Sequence, residues 1–299
     1  MRRPPAGLLG VVLLALLAAC GGGTPAPAAP TDVVRFASYD FQENQILVEV
    51  YAEAARRRGV DVSVQHGIGT REVVAPALQQ GVVDVVVDYL GTALLFARPA
   101  FPELPQTPEE MHAVLSRTLG GRGVAVLDAA AAEDQNGFAV TAAFAAERGI
   151  DRLSDLAPLA AELVFGGPPE CPDRPLCLPG LAAVYGLEFA EVLSMPTRAA
   201  TVEALLSGQI HVGLIETTDA RLAVAPIVLL ADDGRLQPRE NVVPLVRSAV
   251  ADRWGEQLTD ALDDVSERLT TADLTELNRS VELEGLTAED AADRWWDGG

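Results

Sequence analysis

Few side chains in this sequence have the spacing that catalysis or metal binding requires. There is no Gly-x-Ser-x-Gly motif, no phosphate-binding loop and no dinucleotide-binding fingerprint. The three histidines, His66, His112 and His211, stand far apart and lack metal-ligand spacing. Cys171 and Cys177 lie six positions apart, which outside the cytoplasm favours a disulfide, because a zinc site would need further ligands. We therefore expect neither an enzyme nor a metal site, and no cofactor.

The first thirty residues indicate export and attachment to a membrane. Arg2 and Arg3 form a short basic start, and an apolar stretch follows at residues 7–19. This stretch is too short to span a bilayer as a helix, which needs about 20 residues. The stretch ends in Leu17-Ala18-Ala19-Cys20, which resembles the lipobox of bacterial lipoproteins. The resemblance implies that residues 1–19 are a signal peptide and that Cys20 carries the lipid, which places the protein outside the cytoplasm and anchors it to the cell membrane. The alternative is an ordinary signal peptide with an incidental cysteine. Residues 20–32, rich in Gly, Pro and Ala, predict a flexible tether.

The charge of the chain excludes one class of partner. The sequence has 43 acidic and 22 basic residues, for a net charge of −21, and every residue in the basic count is an arginine. Nucleic-acid binding requires a basic surface, so we expect no nucleic-acid partner. The acidity is compatible with a cationic or zwitterionic solute, although solubility explains it equally well.

From Val33 onward, strand-like and helix-like stretches alternate. The run from Val82 to Val87 predicts a buried parallel strand. Apolar spacing predicts a helix from Arg71 to Gln80 that ends at Gly81, and Thr107 predicts the cap of another helix. Such alternation favours an α/β architecture with mostly parallel sheets. We predict two lobes: residues 33–135 with 236–299, and residues 136–235.

Several short segments together resemble the glycine betaine/choline (quaternary-amine) family of ABC-transporter substrate-binding lipoproteins. In chain order they are Phe41-Gln42-Glu43-Asn44, Gly67-Ile68-Gly69-Thr70-Arg71, Val87-Asp88-Tyr89-Leu90-Gly91-Thr92-Ala93-Leu94, Asp173-Arg174-Pro175, Leu178-Pro179-Gly180-Leu181, Val184-Tyr185-Gly186, Ala204-Leu205-x-x-Gly208, Thr218-Asp219, and Leu277-Asn278-x-x-Val281 with Gly285. The resemblance implies a type II periplasmic-binding-protein fold, in which two α/β lobes joined by a hinge close on a solute in the cleft between them. It also implies a monomer that delivers the solute to the permease subunits of an ABC importer.

The family's ligands set the chemistry expected of this cleft. A trimethylammonium group is held by aromatic faces and carboxylates, and a ligand carboxylate by an arginine fork or backbone amides. Tyr89, just past a strand's carboxyl end, matches a cleft tyrosine of the family; the alternative is a core tyrosine with a satisfied hydroxyl. Arg174 matches an arginine that can hold a ligand carboxylate, or else it anchors its own loop by a salt bridge. Thr70 and Arg71 either contact the ligand or serve as a helix cap and a solvent-facing arginine.

The second lobe departs from the family pattern. Val202 and Glu216 stand where relatives often have aromatic rings, so a full four-ring cage is not expected. Glu216 would contact a cation, hydrogen-bond a polar solute, or simply face solvent. The incomplete cage leaves a different polar metabolite as the alternative ligand. The remaining candidate ligand-binding residues are Phe41, Asn44, Asn136, Phe138 and Thr217.

Overall fold

The computed structural model describes residues 32–98 and 104–298, so the predicted signal peptide, Cys20 and the tether up to residue 31 lie outside the described residues. The strands, in chain order, are β1 (Val34–Ala37), β2 (Val62–Gln65), β3 (Val85–Tyr89), β4 (Val124–Val126), β5 (Asn136–Thr141), β6 (Val164–Gly167), β7 (Glu191–Ser194), β8 (Val212–Glu216), β9 (Ile227–Leu229) and β10 (Val242–Arg247). The helices are α1 (Gln42–Arg57), α2 (Arg71–Gln80), α3 (Leu90–Ala97), α4 (Pro108–Gly120), α5 (Ala142–Arg148), α6 (Leu178–Tyr185), α7 (Arg198–Ser207), α8 (Ser248–Trp254), α9 (Glu256–Arg268), α10 (Thr271–Glu282) and α11 (Ala288–Gly298).

The strands form two five-stranded sheets. The first has the order β2-β1-β3-β10-β4 and the second has the order β7-β6-β8-β5-β9. In each sheet the first three strands are parallel, whereas β10 and β5 are antiparallel to both of their neighbours. Both sheets are therefore mixed. The antiparallel strand is in each case the one that the chain adds directly after passing from the other sheet.

The sequence pattern located some elements better than others. Helix α2 has the predicted bounds, and Gly81 ends it in the left-handed conformation at φ 74°. The predicted cap at Thr107 is also present, since its side chain accepts the amide N–H of Glu110 at 3.2 Å. The strand predicted from Val82 to Val87 instead begins at Val85 and continues to Tyr89. An apolar run marks burial, but strand bounds depend on pairing with β1 and β10.

Helices cover both faces of the first sheet. Helices α1, α9, α10 and α11 pack on one face around Tyr51, and α2, α3 and α4 pack on the other around Met111. Each such large side chain contributes about 1.5–3 kcal/mol when fully buried. The Trp296 indole packs at the edge of the first cluster and donates to the carbonyl of Val50 at 3.0 Å. These contacts tie the C-terminal helices to the first sheet.

The second sheet has its own two cores, one built around Phe165 and one around Leu205. The tight approach of the returning chain to α3 requires a glycine, because a Cβ on Gly91 would lie 2.4 Å from Cγ of Pro238. In residues 32–98 and 104–298, no helix combines the length and apolarity needed to cross a bilayer.

Candidate ligand-binding site

A cavity of about 630 Å³ lies between the two sheets, with lining residues from both. Tyr89 ends β3 on the first sheet, and Asn136 and Glu216 stand at the ends of β5 and β8 on the second. Ligand sites of α/β sheets usually form at the carboxyl ends of parallel strands, which is where Tyr89 and Glu216 lie. The predicted residues found in the lining are Phe41, Thr70, Arg71, Tyr89, Asn136, Arg174 and Glu216.

Aromatic rings form one wall of this cavity. The ring of Phe41 neighbours those of Tyr39 and Tyr89, with ring centroids 6.1 Å and 6.2 Å away and interplanar angles of 8° and 29°. Phe96 of α3 also lines the cavity. All four rings belong to segments of the first sheet and its helices. Sequence reasoning missed Tyr39 and Phe96, although Tyr39 follows the first strand by two residues.

Tyr89 combines the two roles that the sequence left open. Its side chain is 6% exposed and its hydroxyl donates to Oε1 of Glu43 at 2.5 Å, yet its ring lines the cavity. Burial, and then the negative charge of Glu43, raise the pKa of Tyr89 well above the ordinary phenol value. The hydroxyl therefore stays protonated and keeps donating to the carboxylate.

Arg71 is largely buried, with its side chain 11% exposed, rather than solvent-facing. Its Nη2 and Nε donate to Asp88 at 2.6 and 3.1 Å, and its guanidinium carbon lies 4.8 Å from the ring centroid of Tyr39. The hydroxyl of Tyr39 also donates to Asp88, at 2.6 Å. Thr70 does not cap α2 through its side chain; its hydroxyl donates instead to Oε2 of Glu72 at 2.7 Å. The charge of Arg71 is thus satisfied within the protein.

Arg174 connects the two sides of the cavity. It lies in the loop before α6, and its Nη2 donates to Oε2 of Glu72 on α2 at 2.9 Å. The salt bridge that the sequence allowed therefore exists, but it reaches across to the first lobe rather than anchoring the loop. The Cys171–Cys177 disulfide closes this loop, and both cysteines line the cavity.

Glu216 is paired as well. Arg198, the first residue of α7, contacts its carboxylate through Nε at 2.6 Å and through Nη2 at 2.5 Å. Arg198 was missed because its partner is remote in sequence; the only local signal was its place at a helix start after Thr197, whose side chain caps α7.

Two buried carboxylates in the lining were also missed. Asp134 accepts the amide N–H of Thr218 at 3.2 Å, and burial followed by the charges of Glu43 and Glu216 raises its pKa well above the ordinary value. Glu240 accepts the amide N–H of Thr92 at 3.0 Å, and burial raises its pKa to about 7.

The charges of the lining do not balance. Each lining arginine already contacts a carboxylate: Arg71 with Asp88, Arg174 with Glu72, and Arg198 with Glu216. Even without Asp134 and Glu240, whose pKa values are raised, the lining carboxylates outnumber these arginines; the others are Asp40, Glu72, Glu170, Asp173 and Glu216. The cavity therefore favours a ligand that carries positive charge. Across the described part of the chain, no group of His, Cys, Asp and Glu is arranged to hold a metal ion.

Three predicted site residues do not line the cavity. Asn44 is fully buried, where its side chain accepts from the amide of Tyr39 at 2.7 Å and donates to the carbonyl of Val87 at 2.8 Å. Phe138 lies two residues inside β5 and packs on Phe165 in the core. Thr217 is exposed, and its hydroxyl donates to Asp134 at 3.0 Å. Asn44 and Thr217 thus contact Tyr39 and Asp134, which do line the cavity. Asn136 does line it, and its amide donates to Gln237 at 3.3 Å.

The fold and the cavity define a two-lobed solute-binding protein. The chain belongs to the family described as the substrate-binding domain of the ABC-type glycine betaine transport system, whose model matches residues 32–298. This is a family of transport proteins rather than enzymes; its members bind small solutes outside the cytoplasm and work with permease components.

Individual proteins that are similar to this chain point to the same family. The chain is 29% identical to a glycine-betaine-binding protein of Pseudomonas aeruginosa over 291 residues, which are 94% of this chain and 92% of the relative. Its fold is similar to a glycine betaine/carnitine/choline ABC transporter structure, with a TM-score of 0.71, 19% identity and coverage of 89% and 98% of the two chains. It is also similar to a choline-binding protein in complex with choline, with a TM-score of 0.62, 17% identity and coverage of 89% and 88%.

Proposed function

We propose that this protein captures a quaternary ammonium solute, such as choline or glycine betaine, between its lobes. The observation that carries the proposal is the wall of stacked rings, Tyr39, Phe41 and Tyr89, in a cavity with excess carboxylates. A trimethylammonium group has no N–H to donate, so aromatic faces and nearby negative charge are the means of holding it. The Pseudomonas aeruginosa relative, named for glycine betaine, supports the same ligand class.

Within this proposal, the rings of Phe41 and Tyr89 hold the ammonium group, and Glu216 adds negative charge. Arg174 takes the carboxylate of a zwitterion such as glycine betaine, for which it must leave Glu72. Thr70, Arg71 and Asn136 shape the polar part of the lining.

A different polar metabolite is the second candidate. The rings come from the first lobe alone, and the second lobe contributes the Arg198–Glu216 pair and Asn136. This polar face would suit a solute with hydrogen-bonding groups at the end opposite its cation.

Isothermal titration of the purified protein with choline, glycine betaine and carnitine tests the proposal. We expect one molecule of at least one of them to bind per chain, with a thermal shift, and to be recovered unchanged, since no catalysis is proposed. Binding of none of them would remove the ligand class. Mass spectrometry of solute that co-purifies with the protein would then identify the second candidate.

The remaining features are proposals of the same kind. Residues 1–19 act as a signal peptide, Cys20 carries the lipid, and residues 20–32 tether a monomer that delivers its solute to permease subunits. The lobes comprise residues 33–135 with 236–299, and residues 136–235, and they turn about a hinge. Labelling of cells with radioactive palmitate tests the anchor: the wild type should incorporate label and Cys20→Ala should not. Label retained by the variant would contradict it.

A further inference from the structure

A glutamate outside the cavity lining lies directly behind Tyr89. Glu43 is at the start of α1, is 6% exposed and is absent from the cavity lining. The Tyr89 hydroxyl donates to its Oε1 at 2.5 Å, while Thr218 and Asn278 donate to its Oε2 at 2.5 and 2.7 Å. Glu43 thus joins the tyrosine of the aromatic wall to a residue that follows β8 of the second sheet.

The hydrogen bonds to this carboxyl group favour its ionised form. The amide nitrogen of Asn278 can only donate, and all three partners present hydrogens to the carboxyl oxygens. Such an arrangement suits an ionised carboxylate, whose oxygens accept all three hydrogen bonds. Burial raises the pKa of Glu43, and the three hydrogen bonds oppose that effect.

We propose that Glu43 is a positioning residue that sets the cavity's preference for a cation over a neutral solute of the same shape. A phenol that donates to a carboxylate gains electron density, and its ring face becomes more negative. The carboxylate also fixes the ring orientation against the second lobe through Thr218. Both effects strengthen the attraction of a quaternary ammonium group to Tyr89 without any contact between the ligand and Glu43. The inference rests on the proposed function, because it assumes a cation in the cavity.

A merely structural role for Glu43 makes a different prediction. If the carboxylate only held α1, Tyr89 and Thr218 together, its loss would weaken every ligand to the same degree. The ratio of affinities for a charged and a neutral ligand of equal shape separates the two roles. Choline and 3,3-dimethylbutan-1-ol, its neutral carbon analogue, form such a pair.

The experiment titrates both compounds into the wild type, Glu43→Gln and Glu43→Asp. In Glu43→Gln we expect choline to bind about tenfold more weakly, within the range of a cation–aromatic contact, and the neutral analogue to change less than about twofold. Glu43→Asp keeps the charge, so its preference for choline should stay near that of the wild type. The matched control is Glu49→Gln, which removes an equally buried carboxylate from the same helix; Glu49 contacts Arg56 and His66 and should not affect the ratio.

Tyr89→Phe provides an independent variant if Glu43→Gln does not fold. It keeps the ring and removes the hydroxyl, so it should lose the same preference for choline. The role of Glu43 would be overturned if Glu43→Gln or Tyr89→Phe kept the wild-type ratio of the two affinities, even where both ligands bound more weakly. A wild type that binds choline no better than the neutral analogue would instead refute the proposed function itself.

Discussion

In the proposed binding mode, some single side chains offer a cation their ring faces and others offer it negative charge. Phe41 neighbours the rings of both Tyr39 and Tyr89 and carries no charge or hydroxyl, so its contribution can be measured in isolation. Replacement by leucine keeps an apolar side chain of similar size but removes the ring face. We expect Phe41→Leu to weaken choline binding roughly two- to thirtyfold, which corresponds to the energy of one cation–aromatic contact.

Isothermal titration measures this change. The control is Phe144→Leu, since Phe144 lies on α5 of the second lobe beside His211 and does not line the cavity. Choline affinity should be unaffected in the control. If Phe41→Leu bound choline as tightly as the wild type, the stacked rings would not be the cation site.

A second prediction at this scale concerns Glu240 and pH. Because burial raises the pKa of Glu240 to about 7, the folded protein binds its proton more tightly than the unfolded chain does. Stability that is fully present below the ordinary pKa of 4.5 is therefore lost as the pH rises to about 7. Glu240→Gln should remove this loss. At pH 8 the variant should be more stable than the wild type by about 3 kcal/mol, which is the difference between a pKa of 4.5 and one of about 7 at 1.36 kcal/mol per pKa unit.

Urea unfolding of the ligand-free protein at several pH values checks this difference. Other groups near Glu240, including Arg71 and Asp88, remain in both proteins, so the comparison isolates Glu240. Glu203→Gln, at an exposed position on α7, is the control and should follow the wild type. A wild type and Glu240→Gln with parallel pH profiles would show that Glu240 does not carry the effect.

At the scale of elements, the shape of the cavity depends on loops, and the sheets alone do not fix the positions of these loops. The loop with Arg174 is closed by the Cys171–Cys177 disulfide, and both cysteines are buried in a core of the second lobe. For a loop of this length, the chain-entropy model assigns the crosslink about 2 kcal/mol of stability. The double variant Cys171→Ala/Cys177→Ala should lose at least that amount in urea unfolding and should bind its ligand more weakly, because Arg174 loses its fixed position.

A reducing agent provides the control for this variant. It should lower the stability of the wild type toward that of the double variant and should leave the double variant unchanged. A wild type insensitive to the reductant, together with a double variant of undiminished stability, would mean that the crosslink contributes nothing.

In the proposed binding mode, Glu72 on α2 competes with the ligand carboxylate for Arg174 of the disulfide loop. Glu72 holds Arg174 at 2.9 Å, so a ligand carboxylate must displace it. Glu72→Gln should therefore raise the affinity for glycine betaine relative to choline. Because the Glu72 side chain is 53% exposed, we expect a ratio change of only about 1.5- to 5-fold, as for surface ion pairs.

Competition titrations of the two ligands measure that ratio. Glu109→Gln removes the same charge from an exposed position on α4, outside this cavity, and should leave the ratio unchanged. A ratio that does not move in Glu72→Gln would argue that Arg174 does not receive the carboxylate.

At the scale of the whole molecule, the sequence predicted the fold well because fold information was spread along the chain. Ordered motifs such as Gly67-Ile68-Gly69-Thr70-Arg71 indicated the family, and the family model spans residues 32–298. Local signals also placed the ends of α2, since Gly81 adopts a backbone conformation that favours glycine. The mixed sheets were not predicted, because the direction of β5 and β10 follows from where the chain crosses between lobes.

The candidate site was predicted only in part, because its partners meet across long stretches of sequence. Tyr89 could be assigned to the cavity, but its bond to Glu43 joins residues 46 positions apart. Arg198 and Asp134 gave no sign of their partners in the linear sequence. Phe138 was assigned to the ligand by its place in a motif, whereas the structure buries it two residues within β5.

The net charge of −21 predicts how salt affects binding. An acidic molecule attracts a cation from solution, and dissolved ions screen that attraction over a Debye length of about 10 Å at 0.1 M ionic strength. We expect choline affinity to fall several-fold between about 20 mM and about 500 mM sodium chloride, since screening acts on its full charge. Glycine betaine, whose carboxylate offsets its cation, should respond less. The neutral analogue 3,3-dimethylbutan-1-ol should not lose affinity over the same range, and titrations at each salt concentration measure all three. Equal salt dependence for all three ligands would mean that the acidity of the chain plays no part in capturing its solute.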